Sequence, residues 1–148
     1  MRASEDLAGS SVFCSWSGGK DSALALHEAV VAGAVPRLLL TMMSEAGERS
    51  RSHGLARRVL EAQAAAIGLP IRFGAASWSG YEREFVRLIE REAVARGATI
   101  GVFGDIDIED HRAWVESACA RAGAAAWLPL WRRGRRQAVA DLLAAGFQ

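Results

Sequence analysis

Short apolar runs alternate with helical segments five times along this chain, and few folds accommodate that order. The runs at residues 12–16, 37–43, 71–75, 99–103 and 126–130 are too short for helices. Continuous apolar runs of this length read as strands buried on both faces. Residues 21–32, 55–67, 81–96, 110–122 and 136–145 carry apolar side chains at three- and four-residue steps, the spacing of a helix with one buried stripe. Expected stripes are Ala23, Leu26 and Val30 in the first, Leu55, Val59, Ala62 and Ala66 in the second, and Val139, Leu142 and Leu143 in the fifth. Each segment is followed by a glycine (Gly33, Gly68, Gly97, Gly123 or Gly146) suited to a left-handed helix end. The order predicts an α/β fold: an open, parallel, five-stranded, Rossmann-like sheet with helices on both faces and right-handed crossovers. At 148 residues the chain is expected to form a single domain over 11–148, after a flexible tail at 1–10. Open parallel sheets bind ligands beyond the carboxyl ends of their strands, where strand order reverses. Chemistry is therefore sought in the loops at 17–22, 44–54, 76–80, 104–109 and 131–135.

Charge and cysteine content exclude several function classes. The formal net charge is +1, so no global field draws the chain onto a polyanion or a membrane. Cys14 and Cys119 are the only cysteines, too few for a disulfide scaffold and not spaced for zinc. Each falls inside an expected strand or helix, where burial is the reading, and not thiolate chemistry. No apolar run reaches the ~20 residues of a bilayer span, and the first ten residues do not resemble a signal peptide, so the expected location is cytoplasmic.

Of the 18 basic residues only one, Lys20, is a lysine, and it lies in the least ordinary stretch of the chain. Ser17-Gly18-Gly19-Lys20-Asp21-Ser22 joins the first strand to the first helix. Two residues without Cβ expose successive backbone N–H groups, and the helix start adds unpaired donors and the positive end of its dipole. Ser17, Ser22 and Lys20 supply hydroxyls and a compact cation, and the whole reads as a cradle for phosphate or pyrophosphate. The pattern is neither Gly-x-x-x-x-Gly-Lys-[Ser/Thr] nor Gly-x-Gly-x-x-Gly. The plainer reading is a glycine turn capped by Asp21 or Ser22.

Ser-Gly-Gly-Lys-Asp-Ser after a first strand resembles the signature of the PP-loop ATP pyrophosphatases. The stretch from Ser15 to Leu26, with His53-Gly54, Phe103-Gly104-Asp105-Ile106, Glu109-Asp110-His111-Arg112 and Leu128-Pro129-Leu130-Trp131, is similar to the diphthine–ammonia ligase branch. The resemblance runs from about Val12 to the C-terminus. It implies ATP and Mg²⁺ as cofactors, adenylation of a carboxylate with release of pyrophosphate, and displacement of AMP by ammonia. By the same resemblance, Gly18, Gly19, Lys20, Asp21 and Ser22 would hold the departing pyrophosphate with Ser17 at the rim, and Lys20, Asp21 and Asp105 would carry catalysis. Gly104 and His53 join the nucleotide-binding set, and the adenine is expected against backbone near Met42.

Several assignments have a structural alternative. Asp105, at a strand's carboxyl end, reads as the Mg²⁺ ligand or as a helix-capping aspartate, with Asp107, Glu109 and Asp110 adding negative charge nearby. His53 could touch phosphate or cap the second helix. It is preceded by Arg51 and Ser52 where the family has two apolar residues. His111 and Arg112 could meet phosphate, or Arg112 could form a surface ion pair with Glu109. Residues 131–136, Trp-Arg-Arg-Gly-Arg-Arg, are the densest basic run. A tRNA contact there is less favoured than a solvated face, and self-association is left open. The chain ends at Gln148, before the further strand and the Glu- and Gly-rich segment with which the family shapes its acceptor side. The expectation is thus an ATP site without that segment; the alternative to a ligase is a module that binds ATP or AMP without turnover.

Overall fold

The computed structural model describes residues 7–146. Five strands, β1 (Ser11–Ser15), β2 (Val35–Met43), β3 (Ile71–Ala75), β4 (Ile100–Val102) and β5 (Ala125–Trp127), form one sheet in the order β3-β2-β1-β4-β5. Every pairing is parallel. The helices are α1 (Lys20–Val31), α2 (Arg57–Ile67), α3 (Tyr81–Leu88), α4 (Glu109–Arg121) and α5 (Arg135–Ala144). One apolar cluster joins the sheet to α1, α2 and α5, and a second joins its other face to α3 and α4. The chain winds from β1 outward to β3, then crosses back to lay β4 on the free side of β1. The carboxyl ends of β1 and β4 therefore flank the point where strand order reverses, the place for a crevice.

All five glycines expected to end helices adopt positive φ, from 84° at Gly123 to 93° at Gly146. Other details depart from the sequence expectation. The segment at 81–96 begins as α3, widens into a π-helical turn over Ile89–Ala93 and tightens over Val94–Arg96. The wide turn keeps Leu88, Ile89 and Ala93 all fully buried. Helix α2 starts at Arg57, because a small turn comes first: the Ser50 N–H donates to Leu55 O and the Leu55 N–H donates to Ser50 Oγ. The last strand stops at Trp127, as the chain turns at Leu128 and the Trp131 N–H bonds back to its carbonyl.

Three apolar stripes are corrected. Val30, Val59, Val139 and Leu143 are exposed; α1 instead buries Ser22, Leu24, Ala25, Leu26 and Ala29, and α2 buries Leu60 and Ala64. In these alanine-rich helices neighbouring stripes are both apolar, so spacing alone does not choose the inward one. The packed body also starts before Ser11. Leu7 is fully buried, the Gly9 N–H donates to Gly33 O, and the Ser10 N–H donates to Leu7 O. The expected tail thus narrows by its last four residues, and residues 1–6 lie outside the described ones. Cys14 and Cys119 are buried, and burial pushes both thiols up to about 12. Among the described residues no helix is long and apolar enough to cross a membrane.

Candidate functional site

The Ser17–Ser22 turn stands at the β1/β4 switch point. Gly18 has φ 83°, and a Cβ there would lie 2.5 Å from the Leu55 side chain, while one on Gly19 would lie 2.6 Å from His53 Nε2. Both glycines are thus fixed by close protein neighbours: Leu55 and His53, on the loop that leads into α2. Gln63 of α2 accepts the Trp16 indole N–H at 2.9 Å and donates to Gly18 O at 3.3 Å, tying the strand end and the turn to one side chain. Thr41 fixes the other side by donating to Trp16 O at 2.6 Å.

Within the turn, Ser17 and Ser22 hydroxyls lie 3.0 Å apart. The Gly19 N–H donates to Ser17 Oγ at 3.2 Å and the Ser17 N–H to Ser22 Oγ at 3.3 Å. Hydroxyls at such distances hold the turn without locking it, since a hydroxyl rotates to suit its partner. Helix α1 begins at Lys20 with Gly19 as N-cap and no side-chain cap among the described residues, so the Lys20, Asp21 and Ser22 amides open the helix without one. Lys20 is half exposed and pairs with Asp21 at 3.2 Å. Gly104 lies against this first turn: a Cβ on it would sit 2.8 Å from the Asp21 carbonyl carbon and 2.9 Å from Ser22 N.

A cleft of about 220 Å³ opens here, with Ser17, Asp21, Ser22, His53, Gly104 and Asp105 on one side and aromatic rings on the other. Asp105 is mostly buried and its Oδ1 accepts from His111 Nδ1, the first turn of α4 supplying the imidazole. That bond holds the His111 pKa above its ordinary value against the opposing effect of partial burial, with the Asp105 charge adding to it. His111 stacks within 7° of Trp114, which stacks on Phe85 at 5.5 Å and meets Tyr81 at 5.7 Å. Burial raises the Tyr81 pKa, partly offset by the Arg51 charge.

Of the residues singled out from sequence, Ser17, Asp21, Ser22, His53, Gly104, Asp105 and His111 line the cleft. Gly18, Gly19 and Lys20 shape the turn beside it, whereas the Met42 side chain is buried on the α3 side of the sheet. Backbone acceptors near the expected adenine position are already engaged: Met42 O accepts from the Arg51 N–H at 3.0 Å and Leu40 O from the Trp16 N–H at 2.8 Å. Arg51 also bonds Ala76 O and lies 4.6 Å from the Trp78 ring centroid, so it ties two loops together. Gln63, the His111–Asp105 pair and this use of Arg51 were not read from the sequence. Each joins residues far apart in the chain, and only the charge pattern of 105–112 hinted at one of them.

A family profile described as the diphthamide synthase N-terminal domain matches residues 10–126. The chain belongs to that family. A solved structure from Methanocaldococcus jannaschii, described as a predicted subunit of tRNA methyltransferase, matches with a TM-score of 0.56 at 20% identity. The match covers 90% of this chain and 74% of that one, a likeness in fold. No curated protein matches. As in the resemblance read from sequence, this diphthamide synthase-like domain places its glycine turn after β1.

Of the four arginines after β5, Arg133 and Arg135 are engaged. Arg133 pairs with Glu28 and with Asp141 at 3.1 Å and donates to Pro129 O, which anchors α5 to α1. Arg135 pairs with Asp107 at 3.0 Å. Arg112 pairs with Glu109 and Glu116 and lies 5.0 Å from the Trp131 ring centroid, the surface ion pair weighed above.

Proposed function

We propose that this diphthamide synthase-family domain binds ATP with its phosphates on the Ser17–Ser22 turn and activates a carboxylate by adenylation. The observation that carries the reading is the uncapped first turn of α1, opening at the sheet's switch point onto a cleft with two carboxylates, Asp21 and Asp105. The first-turn amides and Lys20 would take the β- and γ-phosphates, where negative charge builds as pyrophosphate departs. A carboxylate oxygen of the acceptor attacks the α-phosphorus, and the bond from that phosphorus to the bridging oxygen breaks. Ammonia then adds to the acyl carbon, AMP leaves with the former carboxylate oxygen, and one proton is lost to solvent. The aromatic wall excludes water from the acyl-adenylate, which would otherwise hydrolyse.

Mg²⁺ fits this donor set. Among the described residues no three acids, histidines or cysteines form a cage, but Mg²⁺ is commonly held by one or two carboxylates together with substrate phosphates. Asp21 and Asp105 would hold it, and when bound it neutralises charge on the phosphates. The tRNA reading through 131–136 loses support because Arg133 and Arg135 are spent on carboxylates.

The test is pyrophosphate release from ATP and Mg²⁺, with and without added carboxylates and ammonia. Carboxylate-dependent release that falls at least about 100-fold in Lys20→Ala, equivalent to about 3 kcal/mol of lost stabilisation, supports the reading. Release unchanged in that variant refutes it, and nucleotide binding without release makes the domain a binding module.

A further inference from the structure

A groove of about 390 Å³ opens off the cleft, and Ser52, Tyr81, His111 and Trp114 line both. Arg51, Trp78 and Glu82 line the groove alone and make its outer end. That end is a finished wall. Arg51 is bonded to Ala76 O and seated 4.6 Å from the Trp78 ring centroid, and Glu82 is paired with Arg121 at 3.0 Å. Trp78 is nevertheless 69% exposed, so its indole keeps apolar surface that a ligand can cover. Charges of both signs stand here and both are engaged. A cation entering would be desolvated beside Arg51 and an anion beside Glu82, so the outer end suits an uncharged body.

The inner end offers two unspent hydroxyls. Among the described residues neither the Ser52 nor the Tyr81 hydroxyl has a hydrogen-bond partner. The Tyr81 ring is held among Trp78 at 5.4 Å, Trp114 at 5.7 Å and Phe85 at 6.2 Å, which fixes it where groove and cleft meet. Burial raises its pKa, so at neutral pH the phenol is a donor. We propose that the groove is the acceptor subsite and takes a carboxylic acid with an uncharged, apolar body. The carboxylate accepts from the Tyr81 and Ser52 hydroxyls at the inner end, and the body lies against Trp78. This orientation presents the acid to the compartment onto which the glycine turn opens. The assignment rests on the adenylation reading and adds to it the class of acid that is activated.

NMR of the tryptophan indole N–H groups in nucleotide-free protein, with acetate, hexanoate and 6-aminohexanoate as probes, tests it. Hexanoate should shift the Trp78 and Trp114 indoles saturably and bind about tenfold or more tighter than acetate, since each buried methylene is worth about fourfold. The ammonium of 6-aminohexanoate, on the same carbon chain, should cancel most of that gain. Tyr81→Phe keeps the ring and should weaken hexanoate and acetate alike, by about tenfold or more. Trp78→Ala should instead narrow the ratio between the two acids about threefold or more. Equal affinity of hexanoate and acetate, equal affinity of hexanoate and 6-aminohexanoate, or binding that ignores Tyr81→Phe overturns the proposal. Shifts confined to other resonances overturn it too. A parallel titration with an ATP analogue separates the two readings. Nucleotide bound at the glycine turn while hexanoate ignores the groove removes this inference alone. Hexanoate in the groove of a protein that binds no nucleotide removes the adenylation reading, and the acceptor role with it.

Discussion

Gly104→Ala is the sharpest single perturbation of the link between fold and site. An added methyl would sit 2.8 Å from the Asp21 carbonyl carbon, 2.9 Å from Asp21 O and 2.9 Å from Ser22 N. Optimal carbon contacts lie near 3.5–4.0 Å, so the end of β4 and the first turn of α1 must part by about 0.7 Å or more. All three atoms are backbone, so no rotamer change relieves the clash, and overpacking of this kind costs about 1–3 kcal/mol. Gly104 does not have positive φ, so the effect is steric and not conformational. Gly74→Ala is the control: its nearest neighbour, at 2.8 Å, is Met42 Sδ, a flexible side chain that can move aside. Urea unfolding should show a loss of about 1–3 kcal/mol for Gly104→Ala and a smaller one for Gly74→Ala. Calorimetric titration with a non-hydrolysable ATP analogue should show affinity falling about tenfold for the first variant only, because the anion cradle shares the displaced backbone. Equal stability of Gly104→Ala and wild type, or a greater loss in Gly74→Ala, would refute the reasoning.

Gln63→Leu removes the acceptor of the buried Trp16 indole N–H and the donor to Gly18 O, and should cost about 1–3 kcal/mol in urea unfolding, more than the neighbouring surface change Glu61→Gln. In metal-free protein, an NMR titration should place the His111 midpoint above the ordinary imidazole value, and Asp105→Asn should bring it down. The sign follows from a raised folded-state pKa: the pair's stabilisation is complete below the unfolded value near 6.5 and fades as pH rises through the folded one. A His111 midpoint unmoved by Asp105→Asn contradicts the pairing.

Much of the fold was legible because its signals are local. Short apolar runs cannot be helices, and Gly33, Gly68, Gly97, Gly123 and Gly146 mark helix ends through a backbone need that only their own position sets. The glycine turn could be placed on the sheet's carboxyl edge for the same reason, since it directly follows β1. Helix orientation was less legible: in α1, Leu24, Ala25, Leu26 and Val30 offer two apolar faces, and contact with the sheet selects one. The cross-chain ties that hold the site were not legible. Gln63 reaches Trp16 and Gly18, Arg51 reaches Ala76, and His111 reaches Asp105 through tertiary placement that no spacing encodes. Arg133 and Arg135 looked free in sequence because their partners Glu28, Asp107 and Asp141 lie outside the run.

The central claim, that the turn after β1 receives a polyphosphate, is tested most directly by backbone amide NMR during titration with an ATP analogue and Mg²⁺. The account predicts the largest shifts at the Gly18, Gly19, Lys20, Asp21 and Ser22 amides, with smaller ones at Gly104 and Asp105. Saturable binding that leaves those amides unmoved while shifting resonances elsewhere would contradict it.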